Sequence, residues 1–421
     1  GSTPTDGAVV EVNGERQDAG QTDTQTEGGT TTTTITVDDT KLNNILEQKG
    51  NNATVTLPVS AVSDVVVGQL NGQTVKTMET KSAVLEIKTD TVTYTLPAAQ
   101  ISIDSVSGQL GENVSLQDII VNVKVAEPPA DTVRVMEDTA NQGGYQLVVE
   151  PVQFEITCTS GDRTVQVSRF NGYVERTVAI PDGVDPSRIT TGIVLNEDGT
   201  FRHVPTQIIM IDGKYYAKIN SLTNSVYSVI YNPVSFADVA THWSKEAVND
   251  MGSRMVVTGA GSGSYEPDRN MTRAEFATIM VRALGLSADD SASSFGDVRS
   301  ADWFRGYVNT AGAYGIITGY NSSQFGPQDT ITREQAMTMI ARAMKLTGLS
   351  AVLTDTEQAA LLSPFSDSSR LSAYAKASAA ACLKTGIVTG KTATSISPGA
   401  PVTRAEVAVM VRRLLQQSGL I

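Results

Sequence analysis

Histidine and cysteine are almost absent from this 421-residue chain, with two of each. His203 and His242 are too few and too far apart for a histidine-based metal site or a Ser-His-Asp triad. Cys158 alternates with Phe154 and Ile156 in "FEITC" and is expected to face a sheet core, while Cys382 sits in the alanine-rich "ASAAACLKTG" of a buried helix. A disulfide between such different segments is not expected. No apolar run is long enough to span a bilayer, so membrane insertion is not expected either. A basic stripe is missing too. Residues 1–235 hold 15 Lys and Arg against 29 Asp and Glu, and residues 236–421 hold 17 against 16, which argues against a nucleic-acid partner. No convincing catalytic carboxylate pair, nucleophile elbow or metal cluster is visible, so no catalytic residue, metal or cofactor is assigned. A signal peptide is also lacking, and the opening "GSTPTDG" reads as a cloning remnant at the head of a fragment of something longer.

What is present divides into a multidomain chain. Residues 1–32 are polar and read as a linker, with a short hairpin around Asn13-Gly14. Residues 33–126 read as an α+β module. It has a helix on Leu42, Ile45 and Leu46, capped by Asp38 or Asp39 and stopped by Gly50. "NATVTLPVSAVSDV" and "TVTYTLPAAQISIDSV" look like two copies of a strand-then-helix unit. "AEPPADT" is a hinge, and residues 127–234 read as nearly all strand. Turns at Ser160-Gly161-Asp162, Asp198-Gly199 and Asp212-Gly213 suggest a β-sandwich module.

The last part, 235–421, is a threefold repeat with copies at about 235–288, 294–349 and 364–421. Each copy opens Phe-x-Asp, in "FADV", "FGDV" and "FSDS", and then presents Trp243, Trp303 or Tyr374. Fifteen residues on comes a Thr-Gly pair, at Thr258, Thr318 and Thr389, and fifteen more reach Arg273, Arg333 and Arg404. Pro267, Pro327 and Pro398 stand six residues before those arginines, and Arg282, Arg342 and Arg413 nine after them, where they read as surface or inter-helix pairs. The arginines belong to "MTRAEF", "ITREQA" and "VTRAEV". In each, a Thr followed three residues later by Glu or Gln is a capping box that opens an apolar run of helical spacing. Capping accounts for the Thr and the Glu. It leaves the Arg unexplained, because a cation in the first turn opposes the helix dipole.

These phrases, together with "SYEPDRNMTRAEFATIMVRALGL" and "GIITGYNSSQFGPQDTITREQ", resemble the S-layer homology (SLH) domain of bacterial envelope proteins. The resemblance implies an α-rich pseudo-trimer, a three-helix central bundle with three prongs and ligand grooves between neighbouring copies. It also implies the partner, a pyruvylated secondary cell-wall polysaccharide linked to peptidoglycan. Arg273, Arg333 and Arg404 would then complete an anion site with helix N-terminal N–H groups, as ligand residues on which stability depends little. Trp243 and Trp303 offer flat faces to a sugar, with core packing as the open alternative. Asp238, Asp297 and Asp367 accept sugar hydroxyls, hold the arginines, or serve as helix caps. Ala260, Tyr320 and Lys391, after the Thr-Gly turns, form the groove lip. Copy three departs from the pattern, which favours the grooves around Arg273 and Arg333. A fainter similarity links "VERTVAIPDGVDPSRITTGIVLNEDGTFRHVP" to β-sandwich modules of bacterial surface proteins, some of which self-cleave at His-Phe-Ser; "NSVYS" lacks that His and Phe.

The reading that follows is non-catalytic anchoring of a secreted protein on the bacterial cell wall. A lattice-forming S-layer subunit that self-associates is one alternative. The tail of a wall-bound polysaccharide hydrolase is another.

Overall fold

The computed structural model describes residues 7–349 and 351–421; the opening residues read as a cloning remnant lie largely outside them. The chain divides into two compact units, residues 7–201 with 208–230, and residues 202–207 with 231–421.

The first unit is sheet-rich, with four helices: α1 (Asp39–Lys49), α2 (Gly72–Thr80), α3 (Ile103–Leu110) and α4 (Ala130–Gly143). Three expectations are corrected here. The supposed linker forms the antiparallel strands Gly7–Val12 and Glu15–Glu27, joined at Asn13-Gly14, where both residues adopt positive φ. Val10, Val12 and Ala19 are fully buried, so this segment belongs to the core. Secondly, only one of the two "TLP" strands is followed by a helix. Thr54–Pro58 runs through an irregular stretch with Val62 exposed into strand Val65–Asn71, whereas Val92–Pro97 leads through a short 3₁₀ turn into α3. Thirdly, the hinge at Pro128-Pro129 is the entry to α4, which buries Met136 and Ala140 and ends on Gly144 in the left-handed region.

The boundary read between the two front modules also falls within one sheet network. Strand Ile120–Ala126 pairs antiparallel with Val65–Asn71 on one side and with Val152–Ser160 on the other. Val92–Pro97 pairs with Arg169–Ala179. A strand edge left unpaired presents orphan N–H and C=O groups, and pairing across the boundary satisfies them. At the centre lies Arg176, fully buried. Its guanidinium is enclosed by the rings of Tyr94, Phe154, Phe170 and Tyr227, and it donates to the carbonyls of Val174 and Thr223 and to Asn224 Oδ1.

The second unit is helical: α5 (Lys245–Ser253) and α6 (Arg273–Ala283) in copy one, α7 (Arg305–Ala313) and α8 (Arg333–Leu346) in copy two, and α10 (Lys376–Lys384) and α11 (Arg404–Gln417) in copy three. An additional helix, α9 (Asp355–Leu362), lies in the link between copies two and three. Helix α6 is buried on nearly every face, as expected of a helix apolar all round, and α11 packs on both α6 and α8. The short helices pack out of register with their own copies. α6 lies against α7, α8 against α10, and α11 against α5. Each prong is therefore shared by two neighbouring copies. Among the described residues no helix is long and apolar enough to cross a membrane.

Candidate functional site

All three capping boxes form, with the Thr side chain accepting from the N3 backbone and the N3 Glu or Gln accepting from the Thr backbone. Immediately before them the three copies join in a closed ring. Ile331 N donates to Met271 O (3.0 Å), Val402 N to Ile331 O (3.1 Å) and Met271 N to Val402 O (2.9 Å). These three side chains are fully buried and mark a pseudo-threefold axis. The repeated prolines find their use in the same frame. The carbonyls of Pro327, Pro398 and Pro267 accept from the N–H of Ala274, Glu334 and Ala405 in the preceding copy of the ring.

The arginines complete the frame. Arg273, Arg333 and Arg404 are only 3, 3 and 7% exposed. Arg273 Nε donates to Phe325 O (2.9 Å) and Nη2 to Thr318 O (3.4 Å). Arg333 makes the same pair of bonds to Ile396 O (2.7 Å) and Thr389 O (3.1 Å). Arg404 makes them to Tyr265 O (2.8 Å) and Thr258 O (2.7 Å). Each guanidinium thus ties the Thr-Gly turn of the next copy to the loop before that copy's proline. Burial pushes Arg273 and Arg333 down from the usual guanidinium range, opposed for Arg273 by Tyr320 and Asp329 and for Arg333 by Glu406. Sequence placed these residues on a ligand; the structure shows each of them donating to a buried carbonyl, Phe325 O, Ile396 O or Tyr265 O, and to the carbonyl of an exposed Thr.

The Phe-x-Asp carboxylates do not hold the arginines. Asp238 accepts from the backbone N–H of Tyr265 and Glu266 and from Ser264 Oγ. Asp297 accepts from Phe325 N and Gly326 N, and Asp367 from Ile396 N, Ser397 N and Ser395 Oγ. Desolvation works against these charges, yet the N–H donors keep Asp238 and Asp367 below the ordinary carboxylate range. The clamped loop contains Glu266, Gly326 and Ser397, each at positive φ and each followed by the repeated proline. Aspartate and arginine thus grip one strained loop, the first by its N–H groups and the second by its carbonyls.

The aromatics are not core residues. Trp243, Trp303 and Tyr374 are 65, 61 and 56% exposed, which resolves the alternative left open by sequence. Tyr374, at the start of the α10 prong, bonds through its hydroxyl to Glu334 of α8, and Ser372 donates to Glu334 through both N and Oγ. Tyr374 also lies within electrostatic reach of Arg273. Around Arg273 of the first copy stand Tyr320 and Asp329 of the second, while Glu334 of the second is joined to the third through Ser372 and Tyr374. Trp243 and Trp303 precede α5 and α7, which pack on α11 and α6 as α10 packs on α8.

At the lip the three grooves differ. The Tyr320 ring lies over the Arg273 guanidinium, with its centroid 4.4 Å away. Gly326 makes this possible, since a Cβ there would stand 2.4 Å from the Tyr320 ring and 2.6 Å from the Asp329 carboxylate. Lys391 pairs with Glu406, which also accepts from Arg333 Nη1 at 3.3 Å. Ala260 brings no side chain beyond its methyl to the third lip, where Arg269 bonds Glu275 (2.6 Å) and Glu266 (3.1 Å), and Arg404 stands 3.9 Å from Glu275. Sequence reasoning marked Glu334-Gln335 as a departure of copy two but missed Arg269, Asp329 and the ion pairs of the capping glutamates. The signal was available: Arg269, Asp329 and Ala400 all stand two residues after the repeated proline. Among the described residues no cluster of three or more His, Cys, Asp or Glu side chains is placed to hold a metal.

Comparison with known proteins agrees with this architecture. Residues 235–277, 294–337 and 364–408 each match the S-layer homology domain. An amylopullulanase of Thermoanaerobacterium thermosulfurigenes is 26% identical over 388 residues, 90% of this chain and 20% of the relative. A surface layer protein of Brevibacillus choshinensis is 37% identical over 30% of this chain and 12% of its own length. An S-layer protein of Bacillus thuringiensis subsp. finitimus is 30% identical over 48% of this chain and 25% of its own. The chain thus spans a quarter or less of these relatives. From the fixed spacing, the closed hydrogen-bond ring and these matches together, residues 235–408 are three tandem S-layer homology domains.

Proposed function

We propose that the second unit is a non-catalytic anchor which binds a pyruvylated secondary cell-wall polysaccharide, linked to peptidoglycan, in the grooves between its copies. The observation that carries this reading is the exposure of Trp243, Trp303 and Tyr374 at equivalent positions of a repeat in which each copy also holds a buried arginine. A flat aromatic face stacks on the apolar face of a sugar ring, and a cation in a partly dry groove recognises a carboxylate. The protein resides on the cell surface, in the wall or the S-layer. The sheet-rich first unit serves as spacer between the anchor and whatever it carries.

The test is calorimetric titration of purified polymer, with and without its ketal groups, into the full chain and into Trp243→Ala and Trp303→Ala. Both variants are expected to lose roughly tenfold or more in affinity, as for loss of one to two stacking contacts, with unchanged melting curves. Unaltered binding in the double variant refutes the reading. A second reading, the wall-binding part of a larger secreted polysaccharide hydrolase, is supported by the amylopullulanase match, which extends across both units. A third, a self-associating lattice subunit, is supported by relatives named as surface-layer proteins. Sedimentation at rising concentration separates the lattice subunit from the two anchors.

A further inference from the structure

The three grooves share one frame but not one charge. Asp238, Asp297 and Asp367 are common to all and cancel in comparison. Around Arg333 the remaining charged groups are Lys391 and Glu406, two cations against one carboxylate. Around Arg404 they are Arg269, Glu275 and Glu266, two against two. Around Arg273 the surplus of cations is lost: among the described residues, Asp329 is the one carboxylate besides the shared aspartate that acts on it. Gln335 replaces the capping glutamate, Asp329 stands where the others have Ala400 and Arg269, and Glu334 stands where they have Ala405 and Ala274. Among the described residues no carboxylate pairs with Arg273 directly, but Asp329 acts on it electrostatically and Tyr320 covers it.

Accessibility sharpens the contrast. Arg333 is committed to two backbone carbonyls and 3% exposed, whereas the Lys391 side chain is 42% exposed. Lys391 is therefore the cation that an incoming group meets, and it can leave Glu406 to Arg333 when it turns outward. At the corresponding place the Arg273 groove offers a tyrosine ring. A carboxylate entering there meets Asp329, and like charges in a partly desolvated site repel.

On the reading that these grooves bind wall polymer, we infer that the groove between copies two and three, built on Arg333 and Lys391, takes the carboxylate-bearing sugar. The groove built on Arg273 and Tyr320 takes an uncharged one. Lys391 and Asp329 are the residues that set this division, and a single polymer strand thereby has a preferred register on the trimer.

The experiment uses the full chain, with purified ketal-bearing wall polymer and the same polymer stripped of ketal by mild acid. Wild type, Lys391→Glu, Lys391→Gln and Asp329→Lys are compared by calorimetric titration, each with a melting curve. Lys391→Glu is expected to lower affinity for the ketal polymer tenfold or more and to leave the stripped polymer within twofold, with Lys391→Gln intermediate. Asp329→Lys is expected to strengthen ketal-polymer binding or add a second stoichiometric step. Wild-type binding that survives Lys391→Glu unchanged overturns the groove assignment while leaving the polymer reading intact. Failure of the wild type to bind either polymer overturns both. Equal losses for both polymers in Lys391→Glu also refute the division, since the lysine would then not be reading charge.

Discussion

Truncating Arg333 to alanine is the sharpest test of what the repeated arginines do. The substitution removes the donors to Ile396 O (2.7 Å) and Thr389 O (3.1 Å) and one partner of Glu406. Lys391 still pairs with Glu406, so the carboxylate is not left alone. The cost falls mainly on Ile396 O, which loses its donor beneath a side chain only 3% exposed, because Thr389 is an exposed residue whose carbonyl can turn to water. An unsatisfied buried acceptor costs about 1–3 kcal/mol, and water entering the vacated space recovers part of it, so a loss of about 2 kcal/mol is expected. For a unit of this size each kcal/mol moves the midpoint by roughly 2–4 °C, which places the shift at about 4–8 °C. Scanning calorimetry of the full chain should show this drop in the transition of residues 231–421. Arg333→Lys should recover little, because one ammonium does not reproduce the fork that meets both carbonyls. A shift below about 1 kcal/mol would show that the loop before Pro398 holds itself, and the tie argued here would be wrong.

Two further outcomes follow from buried titratable groups. Burial, with Arg254 nearby, pushes His203 down to about 3 from its ordinary 6.5, so the folded chain resists a proton that the unfolded chain accepts. Stability should therefore be full above about pH 6.5, decline as pH falls below it, and stop declining from this source near pH 3; His203→Gln should flatten that slope in urea titrations between pH 4 and 7, and an unchanged slope would assign the acid sensitivity elsewhere. Cys158 and Cys382 are both buried with thiols pushed up to about 12 by desolvation. Neither should react with iodoacetamide at neutral pH in the native chain and both should react in denaturant, so rapid native labelling of either, read by mass spectrometry, would contradict its placement in the core.

Local chemistry was legible in advance because it depends on neighbours in sequence. The capping boxes at Thr272, Thr332 and Thr403 rest on an i, i+3 relation, and each forms as read. Helix α1 begins at Asp38 and stops at Gly50 for the same reason. Both cysteines lie buried where alternation in a strand and an alanine-rich helix put them. Pairing of strands was far less legible. Nothing within "VVEVNGERQDAG" reveals that its partners extend to Val55 and Thr56, so its polar composition reads as linker. Helix α4 was hidden by its polar residues, since only Met136 and Ala140 are buried.

The sequence by itself determined that this chain ends in three equivalent units and which positions correspond among them. That information is carried by spacing, and spacing survives whatever the chain folds into. It also determined the helix starts, through side chains that bond their own backbone. Tertiary structure alone decided where each arginine points, because its acceptors, such as Phe325 O for Arg273 and Tyr265 O for Arg404, belong to a different copy. It decided that the aspartates hold loop N–H groups instead of arginines, and that each prong is shared between neighbours. It decided the charge of each groove as well. A groove assembled from Arg333, Lys391 and Glu406 has no spacing to betray it, since residues far apart in the chain meet only when the ring of three closes.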